Sequence, residues 1–321
     1  MRHARFVIII LAICLGGYAA LLALGRSSVY CSRSKSFFDT APCFQAETRG
    51  QKADILLVGD SSLLYGISPA EVASAGGGST YNLGMVGPSF GFRPRNLIDR
   101  YLARNARPKA IILYFAPWHL ISDRKIADPQ WAPLGVYLLR HGSAGDLLRF
   151  VSINPAALVE LPPILLTGLT SSGRKASAYR GDLVRNRGYL DYNARGKVKP
   201  LPANCSPASY ERRDPYAVDN RAEVAALRAH YARLGLPVFV YVAPIATCDA
   251  RIDEVRRAYA GVSDAVPQAL PNPFFADDSK RAEHVHPSPA GASEFSRRLA
   301  DFIKTVVQPK TAEPKVIPPA S

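Results

Sequence analysis

Apolar and polar residues divide the chain into stretches of different character. Residues 6–24, FVIIILAICLGGYAALLAL, are apolar throughout and carry no charge. At 1.5 Å per helical residue such a run crosses a hydrocarbon core of ~30 Å. Residues 25–51 show no sustained periodicity and read as a juxtamembrane segment. From residue 52 onward, short apolar runs alternate with helical patterns: DILLVG at 54–59, STYNLG at 79–84, AIILYF at 110–115 and PVFVYVAP at 237–244. The runs lack a two-residue alternation, as parallel strands buried on both faces do. Between them, PRNLIDRYLARNARPK and NRAEVAALRAHYARLGLP place apolar residues at i, i+3 and i+4 and end at Pro108 and Gly235, which predicts crossover helices. Strand, helix, strand in repeated order predicts one α/β domain over 52–305, a doubly wound parallel sheet with helices on both sides.

Residues 120–220 interrupt that rhythm with Pro-bounded apolar pieces and a basic, Gly-containing run, GRKASAYRGDLVRNRGYLDYNARGK. The stretch is too long for a bare loop and predicts an insertion with short helices of its own. Its apolar piece at 155–170 contains Pro162 and Pro163 and reads as a cap helix or a membrane-surface contact rather than a second span. The Pro-rich polar tail, 306–321, is expected to be disordered.

Location gives the charge its meaning. Arg2 and Arg5 precede the apolar segment, so the positive-inside rule keeps residues 1–5 in the cytoplasm and exports everything after Leu24. A retained single-pass signal anchor is favoured by the length of the apolar run; a signal peptide cleaved at Ala23-Leu24-Gly25 is the rival, and either one delivers the body to the periplasm or another extracytoplasmic space. There a formal charge of +14 points to anionic lipid and envelope glycan as neighbours, not to nucleic acid, for which the sequence holds no motif. Outside the apolar segment stand Cys31, Cys43, Cys205 and Cys248, an even set in a compartment that permits disulfides. Of the three possible pairings, loop closure favours Cys31 with Cys43 and Cys205 with Cys248; four unpaired buried thiols are the alternative.

In open parallel sheets ligands sit beyond the carboxyl ends of the strands, where Gly59-Asp60-Ser61-Ser62 falls. A serine hydroxyl is a weak nucleophile unless a base takes its proton, and the base needs a third group to orient it. Among six histidines, His286 stands on the loop before a C-terminal helical pattern, with Glu283 three residues earlier. His284 and His286 share a face of an extended segment but lack a third ligand at matching spacing, so no metal is expected. Gly76-Gly77-Gly78 lacks the Lys-Ser/Thr of a phosphate loop and reads as a flexible turn, so no cofactor is expected.

Taken together, Gly59-Asp60-Ser61 after the first strand, Asn82-x-Gly84-x-x-Gly87 after the second and Glu283-x-x-His286 before the last helix resemble the SGNH (GDSL-type) hydrolase superfamily. The resemblance spans most of 52–305 on three short blocks. It implies a flavodoxin-like three-layer α/β/α sandwich, with Ser61 as nucleophile, His286 as general base and Glu283 at the position of the family's usual aspartate; Asp277 or Asp278 are other candidates to orient the base. Gly87 and the Ser61 backbone N–H would donate to the oxyanion, and Asp60 would shape the turn. One block departs from the pattern: the family's asparagine after the third strand is missing, and YFAPWHL offers Trp118 or His119 in its place. One lost oxyanion donor costs roughly 3–4 kcal/mol, about 10²–10³ in rate, which weakens acyl transfer without abolishing it.

The resemblance implies an esterase or O-acetyltransferase acting on envelope polysaccharide or another acyl ester, beside the lipid bilayer and fed by a polytopic membrane acyltransferase. The missing asparagine motivates the other reading, an inactive SGNH-like scaffold in envelope glycan assembly.

Overall fold

The computed structural model describes residues 2–34, 41, 43–45, 48–85, 94–116, 131–153, 155–170, 174–191, 221–246, 274–275 and 286–307. In chain order these carry helix α1 (Arg2–Arg26), a short α2 (Ser28–Arg33), β1 (Ile55–Gly59), α3 (Ser61–Gly66), α4 (Pro69–Ser74), β2 (Thr80–Gly84), α5 (Pro94–Leu102) and β3 (Ala110–Phe115). Helices α6 (Trp131–His141), α7 (Ala144–Ile153), α8 (Ala157–Thr170) and α9 (Arg174–Arg185) follow, all inside the stretch read as an insertion. Helix α10 (Arg221–Arg233) leads into β4 (Val238–Val242). The two-residue strands β5 (Ile245–Ala246) and β6 (Phe274–Phe275) pair in parallel, and α11 (Pro289–Val306) is the last helix.

The four apolar runs form one parallel sheet in the order β2-β1-β3-β4. Aliphatic and aromatic side chains fill it from edge to edge, and nearly every position of the four strands is buried. The chain leaves β1 for β2 in one direction and returns past β1 to β3. Because parallel crossovers are right-handed, α3 and α4 then cover one face while α5 and α10 cover the other. The packing agrees. On the first face α11 lies against α3 and α4, and its Phe302 meets the rings of Phe239 and Tyr241 on β4 at 6.3 and 5.2 Å. On the second, the Tyr231 hydroxyl of α10 donates to Asp99 of α5 at 2.6 Å.

Helix α5 stops at Leu102 instead of running to Pro108. The Tyr101 carbonyl explains it: the Asn105 side-chain amide donates to it at 2.9 Å, and the backbone amides of Arg104 and Asn105 take the same oxygen at 3.1 and 3.0 Å. The last turn is thereby closed by a side chain that competes with the helix. Helix α8 runs through Pro162 and Pro163 without a break.

The N-terminal region is tied to the body. Cys31 and Cys43 form a disulfide with Cα atoms 5.3 Å apart, the sequence-local pairing expected of them. Cys205 and Cys248 lie outside the described residues, and Cys14 is an exposed free thiol. Helix α1 is long and apolar enough to cross a membrane, the one such helix among the described residues. Its last turns pack on α6 and α8. A Cβ on Gly25 would stand 2.9 Å from Leu139 and 3.0 Å from Leu165, and the Tyr30 hydroxyl just beyond donates to the Leu165 carbonyl at 3.1 Å. The Arg140 guanidinium lies 4.5 Å above the Tyr30 ring.

Candidate active site

Strand β1 ends on a residue that only glycine can supply: a Cβ on Gly59 would fall 1.8 Å from the Tyr114 carbonyl oxygen of β3 and 2.9 Å from Leu63. The chain turns there into α3, and Asp60, extended and 1% exposed, is its N-cap. One carboxylate oxygen accepts from the Ser62 amide at 2.8 Å and the Ser62 hydroxyl at 2.5 Å; the other accepts from the Ala116 amide at 2.8 Å. Asp60 thus joins the start of α3 to the end of β3, across the point where the strand order reverses. It shapes the turn, as the sequence suggested.

The same bonds separate two adjacent serines. Ser62 is 3% exposed and its hydroxyl is committed to Asp60. Ser61 is half-buried, opens α3, and has no hydroxyl partner among the described residues. Of the pair, Ser61 has the hydroxyl available for chemistry.

Strand β2 ends beside it. Asn82 is fully buried; its amide nitrogen donates to the Leu63 and Ile67 carbonyls, each at 2.9 Å, and its oxygen accepts from the Gly84 amide at 2.7 Å. It therefore joins the C-terminal carbonyls of α3 to the last residue of β2. Gly84 lets the two backbones meet, since a Cβ there would lie 2.4 Å from the Leu64 amide nitrogen. The insertion reaches the same place: Asn82 donates through its backbone amide to Arg187 at 3.0 Å, and the Leu190 amide bonds the Leu64 carbonyl at 3.0 Å. Leu183 and Leu190 pack with Ala41, Leu64 and Tyr65 in a small apolar cluster over α3. On this strap Tyr189 holds its proton well above the ordinary tyrosine range, first through burial and then through the negative charges of Asp191 and Glu71.

His286 is half-buried on the loop that opens α11, and its ring stands edge-on to Tyr65, centroids 5.0 Å apart at 81°. Three contacts fix this loop and the start of α11 against α3 and α4. Pro287 covers Gly66, with its ring carbon 3.3 Å from where a Cβ would be. The Ser68 amide donates to the Ser296 hydroxyl at 2.9 Å, and the Ser293 hydroxyl lies 3.3 Å from the Glu71 carboxylate. Ser288 caps α11, its hydroxyl oxygen accepting from the Gly291 amide at 3.2 Å, with Pro289 in the first turn. Tyr65 follows Ser61 by four residues on α3, so the ring that His286 meets belongs to the helix that Ser61 opens.

The structure thus places Ser61 and His286 on elements packed against each other, α3 and the segment that opens α11. Glu283, Gly87, Trp118, His119, His284, Asp277 and Asp278 lie outside the described residues. Reasoning from sequence overlooked Tyr65; its i+4 spacing from Ser61 was the available signal. Among the described residues no three metal-ligating side chains cluster. Comparison with protein-family models, curated proteins and solved structures finds no match to this chain.

Proposed function

We propose that this chain is a membrane-anchored, exported serine acyl-transfer enzyme of SGNH type, an esterase or O-acetyltransferase built on a flavodoxin-like three-layer α/β/α sandwich. The single observation that supports the reading is that Ser61 opens α3 at the carboxyl end of β1, while His286, on the loop before α11, stands edge-on to Tyr65 of that same helix. The strand order, β2-β1-β3-β4, is that of the flavodoxin-like sheet as far as it extends, and its reversal point lies at Ser61. Export is supported by α1 and by the Cys31–Cys43 disulfide.

In this reading Ser61 Oγ attacks an acyl carbonyl while its proton passes to His286. The tetrahedral oxyanion is met by the Ser61 backbone N–H and by Gly87, with Trp118 or His119 standing where the family has asparagine. His286 then protonates the departing alkoxide, and the acyl group passes from Ser61 to water or to a glycan hydroxyl. Glu283 orients His286. No metal or cofactor enters these steps, and the acceptor is an envelope polysaccharide held near the membrane, with a polytopic acyltransferase as the acyl donor.

Acetyl release from an activated acetyl ester tests it. Ser61→Ala should abolish release, and His286→Ala should reduce it by about 10²–10⁴. Full activity in Ser61→Ala would refute the reading. The absent asparagine favours one other reading, an inert glycan-binding scaffold, for which wild type itself would release no acetate.

A further inference from the structure

We infer that α8, together with the exposed edge of α7, forms a second membrane contact that lies in the exported leaflet beside α1. The inference rests on the reading of α1 as a membrane span.

Exposed large apolar side chains are not scattered over the described body. Outside α1 they are Val29, Leu148, Leu158, Val159, Leu166, Val184 and Leu234. The first five belong to α2, α7 and α8, the helices that continue α1 or pack beside it through α6. Isolated exposed apolar residues are ordinary, whereas a group on one side marks a contact surface. Helix α8 is apolar on two faces. Leu161 and Leu165 are buried in the core, while Val159, Pro163 and Leu166, at i, i+4 and i+7, face outward together.

Its depth follows from α1. Leu21, Leu22 and Gly25 close the apolar stretch, and they are the part of α1 enclosed by the body, with Gly25 between Leu139 of α6 and Leu165 of α8. Whatever packs against the last turn of a span sits at that end of the bilayer. With 14 residues, α8 is about 21 Å long at 1.5 Å per residue, short of a ~30 Å core, so it lies along the surface instead of crossing.

Pro162 and Pro163 sharpen this. Lacking N–H groups, they donate nothing to the carbonyls of Leu158 and Val159. Those oxygens need water or headgroup donors, which places the first turn of α8 at headgroup level, its outward apolar face directed into the upper acyl chains. The exposed cations Arg26, Arg33 and Arg149 on the neighbouring helices suit anionic headgroups. A bilayer contact on α8 as well as α1 would hold the sheet end that carries Ser61 at a set height above the lipid.

The test is tryptophan quenching by brominated lipid, with full-length protein reconstituted into pure phosphatidylcholine–phosphatidylglycerol vesicles. Four variants are compared with wild type, whose Trp118 and Trp131 set the baseline: Val159→Trp, Leu166→Trp, Ile13→Trp within the span, and Thr305→Trp on α11 across the sheet. The added tryptophan at 159 or 166 should lose more fluorescence with lipid brominated near the headgroup than near the chain end. Ile13→Trp should show the reverse preference, and Thr305→Trp no loss beyond baseline. Quenching at 13 with none at 159 and 166 overturns the inference while leaving the anchor. No quenching at 13 removes the anchor itself, and the inference with it.

Discussion

Strand β1 is tied to its neighbours at each end by an aspartate, and the two ties differ in kind. At the amino end Asp54 accepts from the Ser79 amide and hydroxyl at 3.1 and 2.6 Å, and from the Lys109 ammonium at 2.8 Å. Lys109 first, then Ser79, pulls its carboxyl down to about 2. Both partners of the ion pair keep their contact with water, Asp54 being 35% and Lys109 70% exposed. At the carboxyl end Asp60 is buried, and it accepts from the Ser62 amide and hydroxyl at the start of α3 and from the Ala116 amide just past β3. One end is a wet clamp joining three strand starts. The other is a buried joint that fixes the turn carrying Ser61, and the aspartate of the Gly-Asp-Ser triplet holds that turn in place.

Substitutions separate the two ends, and the largest effect belongs to the buried one. Asp60→Ala strips charge-assisted bonds from buried donors and should cost roughly 3–5 kcal/mol in urea unfolding. Asn82→Ala takes their side-chain partner from the Ile67 carbonyl and the Gly84 amide and one of two donors from the Leu63 carbonyl, and should cost about 2–3 kcal/mol by the same measurement. Asp54→Asn should cost under about 1 kcal/mol near neutral pH, since exposed pairs are screened. Its pH dependence has a definite sign. A carboxyl lowered in the folded state stabilises above its ordinary value of 3.8, and that contribution disappears as pH falls through about 2. The stability gap between wild type and Asp54→Asn should therefore close between these values and stay constant above them. Ser61→Ala should change stability least, within about 0.5 kcal/mol, because the hydroxyl is half-exposed and the helix cap is Asp60.

The same comparison shows what was legible in the sequence. Strands buried on both faces are written as unbroken apolar runs, and so β1 to β4 were readable, as was the Cys31–Cys43 pair, whose short loop closes cheaply. Ser61 was nominated by its place after β1. What separates it from Ser62 was not readable, because that choice is made by the buried Asp60 carboxylate, which is held in turn by Ala116, just past β3. Asn82 read as part of a motif, yet its partners are carbonyls of a helix that precedes it in the chain. The His286 loop is seated by contacts such as Ser68 to Ser296, 228 residues apart, which no local pattern encodes. The end of α5 was misread for a local reason, a single asparagine side chain that closes the turn early.

The claim that Ser61 and His286 work as one nucleophilic unit is open to a direct measurement: intact-mass and peptide analysis of full-length protein after reaction with a fluorophosphonate. One adduct per chain is predicted, on Ser61, absent from Ser61→Ala and formed about 10²–10⁴ times more slowly in His286→Ala. No adduct on folded wild type, or an unchanged adduct in Ser61→Ala, would contradict it.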